Sequence, residues 1–242
     1  MKSNSVSPEW RLETEVLEIR YPREYRYWDL TGSIAMAILK LNSALGVVKA
    51  DAGKTTLTSP EEGVTLMFGP DMSSVAQNLE YTPKTHIRAF ADGFFERVLA
   101  TLNVSKLTRI GHRLTYRKHF DFEEEAKSYL RKLVETHDCG KNFLQATGDE
   151  RLIRKRPISL TIVFADDSTG VRVELETGNQ VLSVPNSLKS QLPSGFKSTL
   201  YTVTCDLDIF TRGDVDADSF AAAELMKGNA KMAETRILEM LK

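Results

Sequence analysis

The sequence predicts an α+β protein: a mixed or mainly antiparallel sheet, or sheets, with helices packed on one side. Three observations carry that expectation. Apolar and polar residues alternate along several segments, as in strands with one buried face. Apolar residues recur at three- and four-residue spacing along others, as in amphipathic helices. Many strand segments are joined by short connections, which suit antiparallel neighbours. The resulting order is β, α, β, β, α, β, α, β, β, β, α.

The first strand is read over 9–21, where Trp10, Leu12 and Val16 alternate against Leu17, Ile19 and Tyr21 before Pro22 closes it. A helix follows, with Leu30, Ile34, Ile38, Leu41 and Leu45 on one face and Gly46 at its end. Two short strands, 47–57 and 64–68, flank the turn-rich Ser59-Pro60-Glu61-Glu62-Gly63. Pro83 lies near the start of a second helix carrying Ile87, Phe90, Phe94, Val98 and Leu102, which leads directly into a strand over 107–120. Phe122, Ala126, Tyr129, Leu130 and Leu133 mark a third helix, with Asp121 as its amino-terminal cap. Ile158, Leu160, Ile162 and Phe164 then pair with Val171, Val173 and Leu175 as a hairpin across 165–170. A linker with Pro185, Pro193 and Gly195 leads to a long strand carrying Tyr201, Val203, Cys205, Leu207 and Ile209 on one face, and a helix over 216–241 ends the order. The expectation is one compact unit over 1–242 with lobes over 8–138 and 150–242, joined through the polar, glycine-containing stretch 137–150.

Composition narrows the classes. With 242 residues, 41% of them hydrophobic, the chain is long enough for one large core or two coupled ones. The 32 Lys and Arg nearly cancel the 33 Asp and Glu, so a bulk electrostatic grip on nucleic acid or anionic lipid is not expected, although local patches remain open. The first residues lack the apolar core of a signal peptide, and the longest aliphatic run, 34–39, is far shorter than a membrane span. With only two cysteines, Cys139 and Cys205, no disulfide framework is read, and the expected compartment is the cytoplasm.

The sharpest feature is the strand LTRIGHRLTYRKHF. Alternation puts Ile110, Leu114, Tyr116 and Phe120 on one side with His112 among them, and Arg109, Arg113, Arg117 and His119 on the other. A basic sheet face needs anions or carboxylates opposite it. Asp206 and Asp208, two apart on one strand face, answer that need as cross-strand partners; alternatively, they form a divalent-metal or acid/base pair. His112, lying among apolar residues, is read as a satisfied core histidine.

Other motifs carry less. Gly53-Lys54-Thr55 lacks the glycine that a phosphate-binding loop needs five positions earlier, where Val48 stands. His137-Asp138-Cys139 has no second ligand pair, and Arg151, Arg154, Lys155 and Arg156 read as a solvated basic run. No nucleophile elbow, zincin helix or dinucleotide fingerprint occurs, and no cofactor is implied. Tyr21, Tyr25, Tyr27 and Trp28, beside Arg20, Arg23 and Arg26, have the composition of a protein-binding hot spot.

The opening strand ending in Leu17-Glu18-Ile19-Arg20-Tyr21-Pro22, the helix feeding into Arg109-Ile110-Gly111 and Arg113, and the late strand with Asp206 and Asp208 together resemble a sporadically distributed bacterial family of about 250-residue proteins. Here His112 stands where members usually carry an aliphatic residue. The family has no established activity, so the resemblance implies no catalytic residue; its patchy distribution hints at defence or mobile-element gene clusters.

The reading that follows is a non-catalytic binding or assembly protein acting through self-association or a protein partner, with Tyr25, Tyr27 and Trp28 as interface candidates. The alternative is a nucleotide or nucleic-acid binder using Arg109, Arg113, Arg117 and His119. The third is a divalent-metal hydrolase centred on Asp206 and Asp208.

Overall fold

The computed structural model describes residues 9–79, 86–136, 159–181 and 199–241, and the fold is α+β with mainly antiparallel sheet. In chain order the strands are β1 (Arg11–Arg20), β2 (Gly46–Ala50), β3 (Thr55–Ser59), β4 (Val64–Phe68), β5 (Met72–Asn78), β6 (Lys106–Leu107), β7 (Arg109–Phe120), β8 (Ser159–Ala165), β9 (Thr169–Val181), β10 (Thr199–Thr211) and β11 (Val215–Asp216). The helices are α1 (Tyr27–Leu39), α2 (Arg88–Leu102), α3 (Glu123–Thr136) and α4 (Ala222–Met232), the last continuing through a π-helical stretch, Ala233–Ile237, into Leu238–Met240. Nine strands hydrogen-bond in the order β2-β3-β4-β5-β1-β7-β10-β9-β8, while β6 and β11 pair separately. The predicted junction over 137–150 and the proline-containing linker lie outside the described residues.

Where the sequence predicts two strands between 47 and 68, the structure has three, and a fourth follows at β5. The first difference comes from Asp51, whose Oδ1 accepts the backbone N–H groups of Gly53 (2.8 Å) and Lys54 (2.9 Å) and so folds 51–54 into a turn. That turn divides one apolar run into β2 and β3. The second difference is β5, MSSVAQN, which has little strand propensity of its own. It is held by its neighbours instead, paired antiparallel with β1 from Thr14↔Asn78 to Arg20↔Met72 and with β4 from Val64↔Gln77 to Phe68↔Ser73. Gly69 in the β4–β5 turn has a physical reason: a Cβ there would lie 2.7 Å from the Gly53 carbonyl oxygen, so the two turns meet backbone to backbone.

The chain forms two compact units. The first comprises Met1–Arg11, Tyr116–Ile162 and Val173–Asp206. Within it α3 buries Ala126, Leu130 and Leu133, and Tyr129 meets Trp10 and Phe120 at ring-centroid distances of 6.3 and 5.4 Å. Lys118 Nζ lies 4.2 Å from the Tyr129 ring centroid.

The second unit comprises Leu12–Thr115, Val163–Arg172 and Leu207–Lys242, and it holds the main hydrophobic core. Leu17 and Ile19 of β1, Phe68 of β4, Ile34 and Ile38 of α1 and Phe94 of α2 are wholly or almost wholly buried, each contributing about 1.5–3 kcal/mol of transfer free energy. Helix α2 runs through Gly93 without a break and ends at Asn103, whose left-handed backbone (φ 58°) closes the cap with Val104 N–H on the Leu99 carbonyl. Helix α4 buries Ala222, Met226 and Ala230, so part of its apolar stripe belongs to this core.

Candidate functional site

Strand β7 forms as the sequence predicts, and its side chains alternate: Ile110, His112, Leu114 and Tyr116 are buried, Arg113 is exposed, and Arg109, Arg117 and His119 lie between those extremes. Beside it, β10 brings Asp208 to Arg109, with Oδ2 2.9 Å from the guanidinium. The same guanidinium sits 5.0 Å from the Phe210 ring centroid. Asp208 is therefore engaged as a cross-strand ion-pair partner, one of the two readings the spacing left open. In the other unit Arg117 donates to Gln180 Oε1 across 3.5 Å, and Asp206 is partly buried on β10. Among the described residues no group of three His, Cys, Asp or Glu side chains could hold a metal ion.

The apolar face of β7 holds a feature that sequence reasoning missed. His112 is fully buried, and its Nε2 lies 3.0 Å from Oε1 of Glu15, also fully buried, on the adjacent β1. Arg88, at the start of α2, reaches the same oxygen with Nε at 2.9 Å and a terminal nitrogen at 2.8 Å. His86 places Nε2 3.2 Å from the other oxygen, Oε2, outside hydrogen-bond geometry. Burial pushes the Glu15 carboxyl up, but the hydrogen bonds from His112 and Arg88 and their charges outweigh it and hold the group below its ordinary value. As an ionised acceptor, Glu15 requires His112 to donate from Nε2, and His112 Nδ1 is buried with no hydrogen-bond partner. The expected satisfied histidine is thus satisfied on one nitrogen only.

The missed signal is one of parity. Glu13, Glu15, Leu17 and Ile19 share the buried face of β1, just as His112 shares that of Ile110 and Leu114. A carboxylate at a core position on one strand and an imidazole at a core position on another call for each other. Nothing local marks His86 and Arg88, which reach Glu15 only through the fold.

The aromatic segment separates into two roles. Tyr27 was expected at an interface, but it is buried, with its hydroxyl within hydrogen-bond reach of the Asp51 carbonyl (3.0 Å) and Thr55 Oγ1 (3.1 Å). The helical period explains the correction, because Tyr27 shares the inward face of α1 with Ile34 and Ile38. Tyr25 and Trp28 are instead 73% and 42% exposed, with ring centroids 5.7 Å apart and the Arg23 guanidinium 5.6 Å from the Trp28 ring. Trp28 Nε1 donates to the Ala52 carbonyl at 3.0 Å, anchoring the ring to the 51–54 turn.

Cys205 is buried and free, its thiol pushed up to about 12 by burial and the nearby Asp206, which makes it a poor nucleophile. His137, Asp138 and Cys139 and the basic run Arg151, Arg154, Lys155 and Arg156 lie outside the described residues. No helix among the described residues is long and apolar enough to cross a membrane. The chain matches no protein-family model and no curated protein sequence.

Proposed function

We propose that this protein is a non-catalytic binding or assembly module that docks a protein partner, or a second copy of itself, on the Tyr25–Trp28 surface. The supporting observation is the exposure of two adjacent aromatic rings, tilted 39° to each other, with the Arg23 guanidinium over one of them on a well-anchored corner. Trp, Tyr and Arg dominate binding hot spots, and a ring already fixed by its own hydrogen bond loses little freedom when covered. A cytoplasmic setting, and a place in a bacterial defence or mobile-element gene cluster, belong to the same proposal and rest on composition and on the family resemblance. The nucleotide-binding reading draws on the basic face of β7, but Asp208 already meets Arg109 there. The hydrolase reading is weakened by that same contact.

The test is capture of partners from source-cell lysate, and light-scattering mass over a wide concentration range, for the native chain and a Tyr25→Ala, Trp28→Ala variant whose circular dichroism confirms folding. Loss of capture or of self-association in the variant, by about 30-fold or more in affinity, supports the reading. Capture and mass unchanged by the substitutions overturn it.

A further inference from the structure

Helix α1 carries a glycine that the packing of its own chain does not explain. Glycine is among the poorest residues for a helix interior, and a Cβ on Gly32 would have nothing within 4 Å. Gly93, the mid-helix glycine of α2, would instead bring its Cβ into ordinary contact with Leu41, at 3.7 Å. Gly228 of α4 is as open as Gly32, but the exposed Glu224, Lys227 and Lys231 stand around it, as on a solvated helix face. Along the four-residue row through Gly32 the exposed neighbours are large and apolar. Trp28 lies four positions before it, 42% exposed, and Met36 four positions after it, 59% exposed. Tyr25, 73% exposed, stands beside Trp28, and Asp29 and Ser33 border the row.

That row is self-complementary. Residues four apart form the ridge by which helices interdigitate in their commonest packing class, and a glycine on the ridge lets two backbones approach closely where they cross. Two copies of α1 crossing antiparallel about a two-fold axis at Gly32 bring each residue opposite one at the same separation on the other side of position 32. Trp28 of each copy then meets Met36 of the other, a thioether–ring contact. Tyr25 meets the partly buried Leu39, each seven positions from Gly32. The charges fit as well. The exposed Lys40 of one copy lies towards the other's amino-terminal end of α1, where Glu24 and Asp29 offset Arg23 and Arg26 and no excess of like charge meets it. A parallel pair would set Lys40 against Lys40 and each arginine against itself.

We infer that a second copy of this chain occupies the Tyr25–Trp28 surface, in a two-fold dimer whose α1 helices cross antiparallel at Gly32. The inference rests on the docking surface proposed above and names its occupant. In a two-fold contact one patch serves as both halves, so its groups must be matched about the axis. Trp28 and Met36 are so matched about an open glycine, and a foreign partner makes no such demand. A single helix crossing buries little area, which places the dimer in the weak, concentration-dependent class.

Light scattering on the native chain from about 1 to about 500 µM should show the mass rise from 27.2 kDa towards twice that value. Over the same range, brief peroxide treatment read by mass spectrometry should find Met36 oxidised about fivefold or more slowly once dimers form, while the comparably exposed Met240 keeps its rate. Gly32→Leu has room for its side chain and removes a poor helix former, so it should melt no lower than the native chain yet weaken the dimer about tenfold or more. A dimer whose Met36 oxidises as fast as in the monomer, or one undiminished in a folded Gly32→Leu, overturns the inference. A mass of one chain throughout overturns it too, yet leaves the docking surface standing if Tyr25→Ala, Trp28→Ala still abolishes capture from lysate. Should Gly32→Leu not fold, Met36 protection in the native chain decides alone.

Discussion

On one face of β7, Arg109 meets Asp208 at 2.9 Å with 38% and 30% of the two side chains exposed; on the other, His112 meets Glu15 at 3.0 Å with neither exposed at all. The chemistry is alike and the surroundings are not. Water reaches the first pair, screens it, and can take the place of either partner, so its net worth is small. Water does not reach the second, where the carboxylate depends on three protein donors converging on one oxygen. A short distance between charges therefore says little about energy until burial is known.

The largest expected effect comes from breaking the buried side of that comparison. Glu15→Gln removes the charge that Arg88 and His112 are arranged around and should cost about 3–5 kcal/mol in urea unfolding at pH about 7.5. A loss below about 1 kcal/mol would mean that water enters the site and that the two faces of β7 are alike after all. The paired variant Glu15→Leu, His112→Leu sharpens the point. Apolar replacement of both leaves neither of them buried without the other, and Arg88, which is 27% exposed, is the group left without its partner, so the double loss should be smaller than the sum of the singles.

The same contrast governs what could be read from residues alone. The basic face of β7 was legible because alternation assigns Arg109 and Arg113 to one side with certainty once the segment is a strand, and Asp208 was legible as a partner because its own strand alternates too. Glu15 is hard to read because the apolar residues of β1 define its inward face, and an acid on that face carries no local mark of the partners that let it be buried. His86 and Arg88 were beyond reach for a different reason: their contacts to Glu15 span more than 70 residues of sequence and depend on where α2 docks. Strand β5 is not legible in sequence because MSSVAQN becomes a strand by pairing with β1 and β4, a tertiary effect that overrides weak local preference. Tyr27 could have been separated from Tyr25 and Trp28 by the helical period alone.

A smaller effect is expected at Gly170, which lies under the exposed side of the comparison. A Cβ there would fall 2.3 Å from Cζ of Phe210, the ring over which Arg109 is stacked. Gly170→Ala must turn that ring and should cost about 1–2 kcal/mol in the same unfolding assay, at the low end of overpacking because the end of a side chain, not backbone, has to move. A neutral result would show that Phe210 has room to swing and that Arg109 relies on Asp208 alone.

The smallest effect belongs to the exposed pair itself. Asp208→Asn keeps the shape of the side chain and removes its charge, and because both partners reach solvent the stability should change by less than about 1 kcal/mol. Its value lies in what it does to Arg109, which then carries an unbalanced charge on the basic face. If that face binds phosphate, affinity for inorganic pyrophosphate should rise in Asp208→Asn and fall more steeply with added salt than in the native chain, since one more cation takes part. If pyrophosphate binding is absent from both proteins, the arginines of β7 serve the sheet and not a ligand, and the Tyr25–Trp28 corner stands as the surface to pursue.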